Sequence, residues 1–147
     1  MAPLRFAAVL GFVLALGVTL PAAAATIEGT EGADHLVGTS SADTINGLAG
    51  PDLIEGRAGG DVLVGGSGRD VVLGQHGADW IRGGPGSDRL SGGPGVDHVF
   101  GGRGDDRVSV ARDGSADIVD CGPGDDVVVF SDGDQINDNC ERQVKVH

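Results

Sequence analysis

The chain has 147 residues, with 22 acidic against 10 basic side chains and a formal net charge of −12 at neutral pH. The few basic residues are scattered, which argues against nucleic acid or an anionic membrane surface as a partner. With 28 Gly, four Phe and one Trp, any core is thin, and so acidic a chain needs something to neutralise its carboxylates before it folds.

In chain order, residues 1–25 read as a secretory signal. Arg5 is the positive start, Ala7 to Leu20 the apolar stretch, and Ala23-Ala24-Ala25 a small-residue cleavage site. The stretch is short for a membrane span and Pro21 ends it, so an uncleaved anchor is the weaker reading. Cleavage after Ala25 leaves 122 residues, moves the net charge to −13 and leaves no membrane span. The expected location is extracellular, with retention at a bacterial cell surface left open.

From Gly29 to Ser109 a unit of the form G-x-x-G-x-D-x-U-x, U being a large aliphatic, runs nine times without a gap. Position 1 is always Gly, from Gly29 to Gly101. Position 6 is Asp34, Asp43, Asp52, Asp61, Asp70, Asp79, Asp88, Asp97 and Asp106. Position 8 is Leu36, Ile45, Ile54, Leu63, Val72, Ile81, Leu90, Val99 and Val108. Asp makes up 18 of the 147 residues, so nine hits in nine units are not chance.

Positions 1 to 6 are expected to turn the chain, with Gly at 1 and 4 supplying positive φ. Position 4 departs from Gly only at Ser41, and the prolines fall at turn positions 3 (Pro85, Pro94) and 5 (Pro51). Positions 7 to 9 form a short strand that points position 8 inward. Two units then complete a coil of 18 residues, and unit n stacks on unit n+2. The predicted fold is all-β, a parallel β-roll over residues 26–109.

That stacking implies calcium. Strands lie about 4.8 Å apart and calcium–oxygen bonds are about 2.3–2.6 Å, so a cation between successive coils fits the spacing. One oxygen of each Asp is expected to face the ion above and one the ion below. Turn carbonyls, freed from ladder bonding, complete the ligand set near Gly65, Gly66, Gly68, Gly83, Gly84, Gly86, Gly92, Gly93, Gly95, Gly101, Gly102 and Gly104. Magnesium fits less well, since it wants shorter bonds and retained water. Nine units paired n with n+2 allow at most about seven such sites.

The chain resembles the RTX, or haemolysin-type, calcium-binding nonapeptide family, whose consensus is G-G-x-G-x-D-x-U-x. The resemblance implies a parallel β-roll with calcium in its turns. The Gly-Gly start is kept at Gly65, Gly83, Gly92 and Gly101. It is replaced at Gly29-Thr30, Gly38-Thr39, Gly47-Leu48, Gly56-Arg57 and Gly74-Gln75, which puts the N-terminal sites in question. Large RTX proteins carry such repeats behind a catalytic or pore-forming region and use a C-terminal export signal; here an N-terminal signal takes that place.

Beyond Ser109 two extra residues, Val110-Ala111, interrupt the count. Asp117-Ile118-Val119 and Asp126-Val127-Val128 keep the unit's ending, and Asp126 joins the predicted metal ligands. Residues 110–147 are expected to be degenerate repeats and a C-terminal cap. The only cysteines, Cys121 and Cys140, both lie there and are predicted to form a disulfide. The segment from Asp117 to Glu141 resembles the tails of small secreted actinobacterial calcium-binding repeat proteins.

Other candidates yield to plainer readings. The acids of Asp132 to Glu141 miss the EF-hand pattern, and Arg103-Gly104-Asp105 is only the turn sequence. His35, His76 and His98 read as solvated surface. No catalytic signature is found, so no enzyme is predicted; a non-catalytic accessory domain of a hydrolase stays open on family company alone. The outward residues Val62, Val64, Trp80 and Phe100 form an apolar patch, read either as stiffening cross-strand packing or as a docking face for a carbohydrate or cell surface. The predicted function is calcium binding by a secreted structural or interaction module.

Overall fold

A computed structural model describes residues 23–110 and 114–147. The expected signal, up to residue 22, and Ala111 lie outside the described residues. Within them the chain is all β and winds as a solenoid with two parallel sheets. One sheet stacks, in spatial order, β1 (Thr26–Glu28), β3 (Thr44–Asn46), β5 (Val62–Val64), β7 (Trp80–Pro85), β9 (His98–Arg103), β11 (Ile118–Asp120) and β13 (Gln135–Ile136). The other stacks β2 (His35–Val37), β4 (Leu53–Ala58), β6 (Val71–His76), β8 (Arg89–Ser91), β10 (Arg107–Ser109), β12 (Val127–Phe130) and β14 (Arg142–Lys145). Every pair is parallel, and the 18-residue coil holds through the repeats, as in Leu63↔Ile81 and Val72↔Leu90.

The predicted parallel β-roll is therefore the fold. Position 8 turns inward throughout, and Ile45, Ile54, Leu63, Val72, Ile81, Leu90, Val99 and Val108 form a buried file between the sheets. Leu36 and Ile27, on the first coil, are only partly covered. One buried aliphatic in nine residues does not by itself offset the entropy of ordering those nine. The backbone ladders and the turns have to supply the rest.

Three local expectations need correction. Strands β4, β6, β7 and β9 run six residues rather than three, because pairing continues through position 3 of the next unit, as in Arg57↔Gln75 and Pro85↔Arg103. Pro85 thus ends a strand; its carbonyl accepts a hydrogen bond from the Gly68 N–H at 2.9 Å. Positive φ falls at positions 2 and 4, not at 1 and 4: Gly66 and Gly84 have φ of 107° and 113°, Gly68 and Gly86 149° and 155°. Leu48, Arg57 and Gln75, which replace Gly at position 2, still take φ of 77°, 80° and 74°. Each bears a left-handed strain of about 1 kcal/mol or more.

The coil continues past Ser109. Val99 pairs with Val119 and Val108 with Val128, so the two extra residues lengthen one coil to 20 without shifting the file. Val110 is buried and its N–H reaches the Val129 carbonyl at 3.0 Å. Cys121 stands where a unit would begin with Gly, followed by Gly122-Pro123-Gly124-Asp125-Asp126. It is bonded to Cys140, with the Cα atoms 5.2 Å apart, which ties the coil to its last strands. The predicted disulfide is present.

Candidate metal centre

The position-6 aspartates precede alternate sheets and form two columns. In the first, the Asp34 N–H donates to Asp52 Oδ1 at 2.9 Å, Asp52 to Asp70 at 2.9 Å, and Asp70 to Asp88 at 2.8 Å. Asp88 then donates to Asp106 and Asp106 to Asp126, both at 2.8 Å. The second column runs from Asp43 through Asp61, Asp79 and Asp97 to Asp117, with the same bond at 2.8–2.9 Å. All ten predicted aspartates occupy these columns. Nine of them are buried, and Asp34, at the open first coil, is half-buried.

The two oxygens of each carboxylate do different work. Oδ1 accepts the N–H of the Asp one coil earlier, so the symmetric arrangement expected from the sequence, with one oxygen up and one down, is not what the chain builds. Oδ2 takes no part in this ladder. On Asp52, Asp61, Asp70, Asp79, Asp88, Asp106 and Asp126 it is buried and accepts no hydrogen bond among the described residues. A buried polar atom without a partner costs about 1–3 kcal/mol, more when charged, so seven such atoms in register call for a positive partner.

The position-1 glycines shape the space around these oxygens. A Cβ on Gly65 would lie 2.7 Å from both Asp70 Oδ2 and the Gly83 carbonyl oxygen; on Gly83 it would meet Asp88 Oδ2 at 2.5 Å and the Gly101 carbonyl at 2.6 Å. Carboxylate and carbonyl therefore converge on a pocket that any side chain would fill, which is why position 1 is Gly although its φ is ordinary. No group of three or more His, Cys, Asp or Glu side chains converges among the described residues. A cation held here needs backbone carbonyls to complete its shell, as hard oxygen-ligated cations accept.

Those carbonyls are not free of the ladder, as the sequence reading supposed. The Gly66 N–H donates to the Gly83 carbonyl and the Gln75 N–H to the Gly92 carbonyl, each at 2.9 Å. At position 4, Gly86 N–H reaches the Arg103 carbonyl at 2.7 Å. Turn stacks on turn by hydrogen bonds, and a carbonyl's second lone pair remains for a ligand.

Burial drives the electrostatics. Loss of water raises the carboxyls of Asp52, Asp70, Asp79 and Asp126 above the ordinary range, against the lowering effect of the backbone N–H each accepts. Asp61 and Asp88 rise to about 6 and Asp106 to about 7, the charged column neighbours adding to desolvation. A carboxyl whose folded pKa exceeds its unfolded value binds extra protons in the folded state, so stability falls as pH rises through about 4 to 7. In chelator, acidifying from pH 7.5 to 5.5 is accordingly expected to increase the β signal in circular dichroism. A chelated chain that loses structure on that change would contradict the arrangement.

Three column members were not in the predicted ligand set. Asp117 accepts the Asp97 N–H at 2.8 Å, Asp134 accepts the Asp117 N–H at 3.1 Å, and Glu141 Oε2 accepts the Asp126 N–H at 2.9 Å. Asp117 keeps the unit's ending in the sequence, but the lengthened coil and the short C-terminal spacings put all three outside an unbroken nine-residue count. Of the histidines read as solvated, His35 Nε2 lies 2.8 Å from Glu55 Oε1, and the His98 ring stacks on Trp80 at 4.5 Å, 3° from parallel.

The apolar patch forms as expected on one sheet. Val62 and Trp80 are register partners, Val64 and Phe100 flank Arg82 in the next row, and Trp80 is 53% exposed. These residues line a groove of about 790 Å³ together with Pro85, Arg103 and Pro123.

No curated protein and no solved structure matches the chain. The family model of the RTX calcium-binding nonapeptide repeat matches residues 24–54, 37–72 and 73–108, a span of more than half the sequence. That span holds the stacked aspartates from Asp34 to Asp106 and the glycine turns beside them, and on this ground the chain belongs to the RTX calcium-binding repeat family.

Proposed function

We propose that this is a secreted, non-catalytic protein whose β-roll is completed and stiffened by calcium outside the cell, serving as a structural or interaction module. The row of buried Oδ2 atoms that accept no hydrogen bond carries the reading. Charges about 4.8 Å apart repel by roughly 3–4 kcal/mol at an effective dielectric of about 20, and a divalent cation between coils turns that repulsion into attraction. Asp52, Asp61, Asp70, Asp79, Asp88, Asp106 and Asp126 would hold it, with carbonyls of the turns at Gly65, Gly83, Gly92 and Gly101. Calcium's tolerance of irregular oxygen shells suits such mixed sites better than the strict octahedron of magnesium.

The full chain expressed in a bacterial host is expected to reach the culture medium with Thr26 as its first residue and to carry several calcium ions by elemental analysis. A chain found only inside the cell, or one that takes magnesium as readily as calcium, would overturn the reading.

A second reading, an extracellular carbohydrate or cell-surface binder, draws on the exposed Trp80 beside Val62, Val64 and Phe100. A glycan array probed with and without calcium separates it from a purely structural role.

A further inference from the structure

The first turns of the roll differ from those that follow in one respect. In unit 1 the Thr30 N–H and Oγ1 both donate to Asp34 Oδ2, at 2.6 and 2.9 Å, and the Gly32 N–H donates to Thr30 Oγ1 at 3.2 Å. Unit 2 repeats the arrangement, with the Thr39 N–H 2.5 Å and Oγ1 3.1 Å from Asp43 Oδ2, and the Ser41 N–H 3.1 Å from Thr39 Oγ1. At the far end the Ser131 N–H donates to Asp134 Oδ2 at 2.7 Å and its Oγ lies 3.3 Å away. The oxygen left bare at Asp52, Asp61, Asp70, Asp79, Asp88, Asp106 and Asp126 is filled at these ends by the chain itself.

The cause lies at position 2. Interior units take a left-handed conformation there, even where the residue is Leu48, Arg57 or Gln75. That conformation turns the position-2 N–H away from the Asp of its own turn, to the carbonyl one coil on at Gly66 (Gly83) and Gln75 (Gly92) and to Asn46 Oδ1 at Leu48, and the Oδ2 atoms of Asp52, Asp70 and Asp79 are left bare. Thr30 and Thr39 do not adopt positive φ; a β-branched residue resists it. Their N–H groups point instead at the Asp of their own turn, and the hydroxyl adds a second donor.

We infer that Thr30, Thr39 and Ser131 replace a cation in the terminal turns, so that calcium is confined to the interior of the roll and the ends are closed by hydroxyl and amide donors. The inference rests on the calcium reading above and adds to it a rule for the nonapeptide units: a hydroxyl residue at position 2 shuts a turn to metal, and Gly or a residue strained into the left-handed region opens it, while Ser131, one residue nearer its Asp, does the same work in the cap. The rule also accounts for the roll's ends. A terminal turn has a neighbouring coil on one side only and offers an ion fewer oxygens, so an internal donor competes with the ion there.

Isothermal calorimetry with calcium, on residues 26–147, tests this with three chains. Thr39→Gly restores the Gly-Gly start, frees Asp43 Oδ2 and is expected to bind one more ion than the wild type. Thr39→Ser keeps the hydroxyl and is expected to leave the number unchanged. Wild-type binding with no gain in Thr39→Gly, or an equal gain in both variants, would overturn the rule while leaving calcium binding intact. A wild type that binds no calcium would overturn the calcium reading and this inference together.

Discussion

Chelation is expected to unfold most of the roll. In excess chelator at pH 7.5, residues 26–147 should give the circular dichroism and hydrodynamic radius of a largely disordered chain, and calcium should restore β signal in one cooperative step. The core offers one buried aliphatic per unit, while seven buried carboxylates in register each keep an oxygen that accepts no hydrogen bond. At pH 7.5 these carboxyls ionise, and without a cation between coils their repulsion opens the roll. Calcium binding free energy is then folding free energy. With extracellular modules binding at about 10⁻⁴–10⁻³ M, the midpoint should fall in that range. Equal compactness and equal β signal with and without chelator would refute the expectation. Loss of the solenoid should be cooperative because a coil with so thin a core is stable only when stacked on its neighbours.

The position of an aspartate along its column should decide what it contributes. Asp79 is buried, accepts the Asp61 N–H through Oδ1 at 2.8 Å, and holds a buried Oδ2 that accepts no hydrogen bond. Asp79→Asn keeps an acceptor for Asp61 but puts an NH₂ group among cation-facing oxygens and removes a negative charge. The calcium midpoint for folding should rise roughly tenfold or more, equivalent to about 1.4 kcal/mol. Asp34 lies on the first coil, where Thr30 already occupies its Oδ2. Asp34→Asn should shift the midpoint little, by about 0.5 kcal/mol or less. Calcium titrations of the two variants by circular dichroism compare them directly. Equal shifts, or a larger one at Asp34, would mean that the interior oxygens do not hold the ion.

The topology was legible in the sequence because one period serves every requirement of the coil. A Gly-Asp-aliphatic spacing of nine residues buries position 8 only if two units close a turn and unit n lies on unit n+2, so Ile45 to Val108 had one consistent arrangement. Cys121 and Cys140, alone in the chain, were equally plain. What only the tertiary structure decided is the direction of small polar groups. Whether the Asp79 carboxylate gives one oxygen to the ladder and leaves the other bare, and whether the N–H at position 2 reaches its own Asp, depends on one peptide's orientation. That orientation is set by contacts 18 to 20 residues away, which leave no local signature. For the same reason Gly65 looks like a turn glycine in the sequence, whereas in the fold it is small because Asp70 and the Gly83 carbonyl crowd the place of its Cβ. Asp117 escaped the nine-residue count, yet it joins its column because backbone pairing of Val99 with Val119 restores the register that the two extra residues broke.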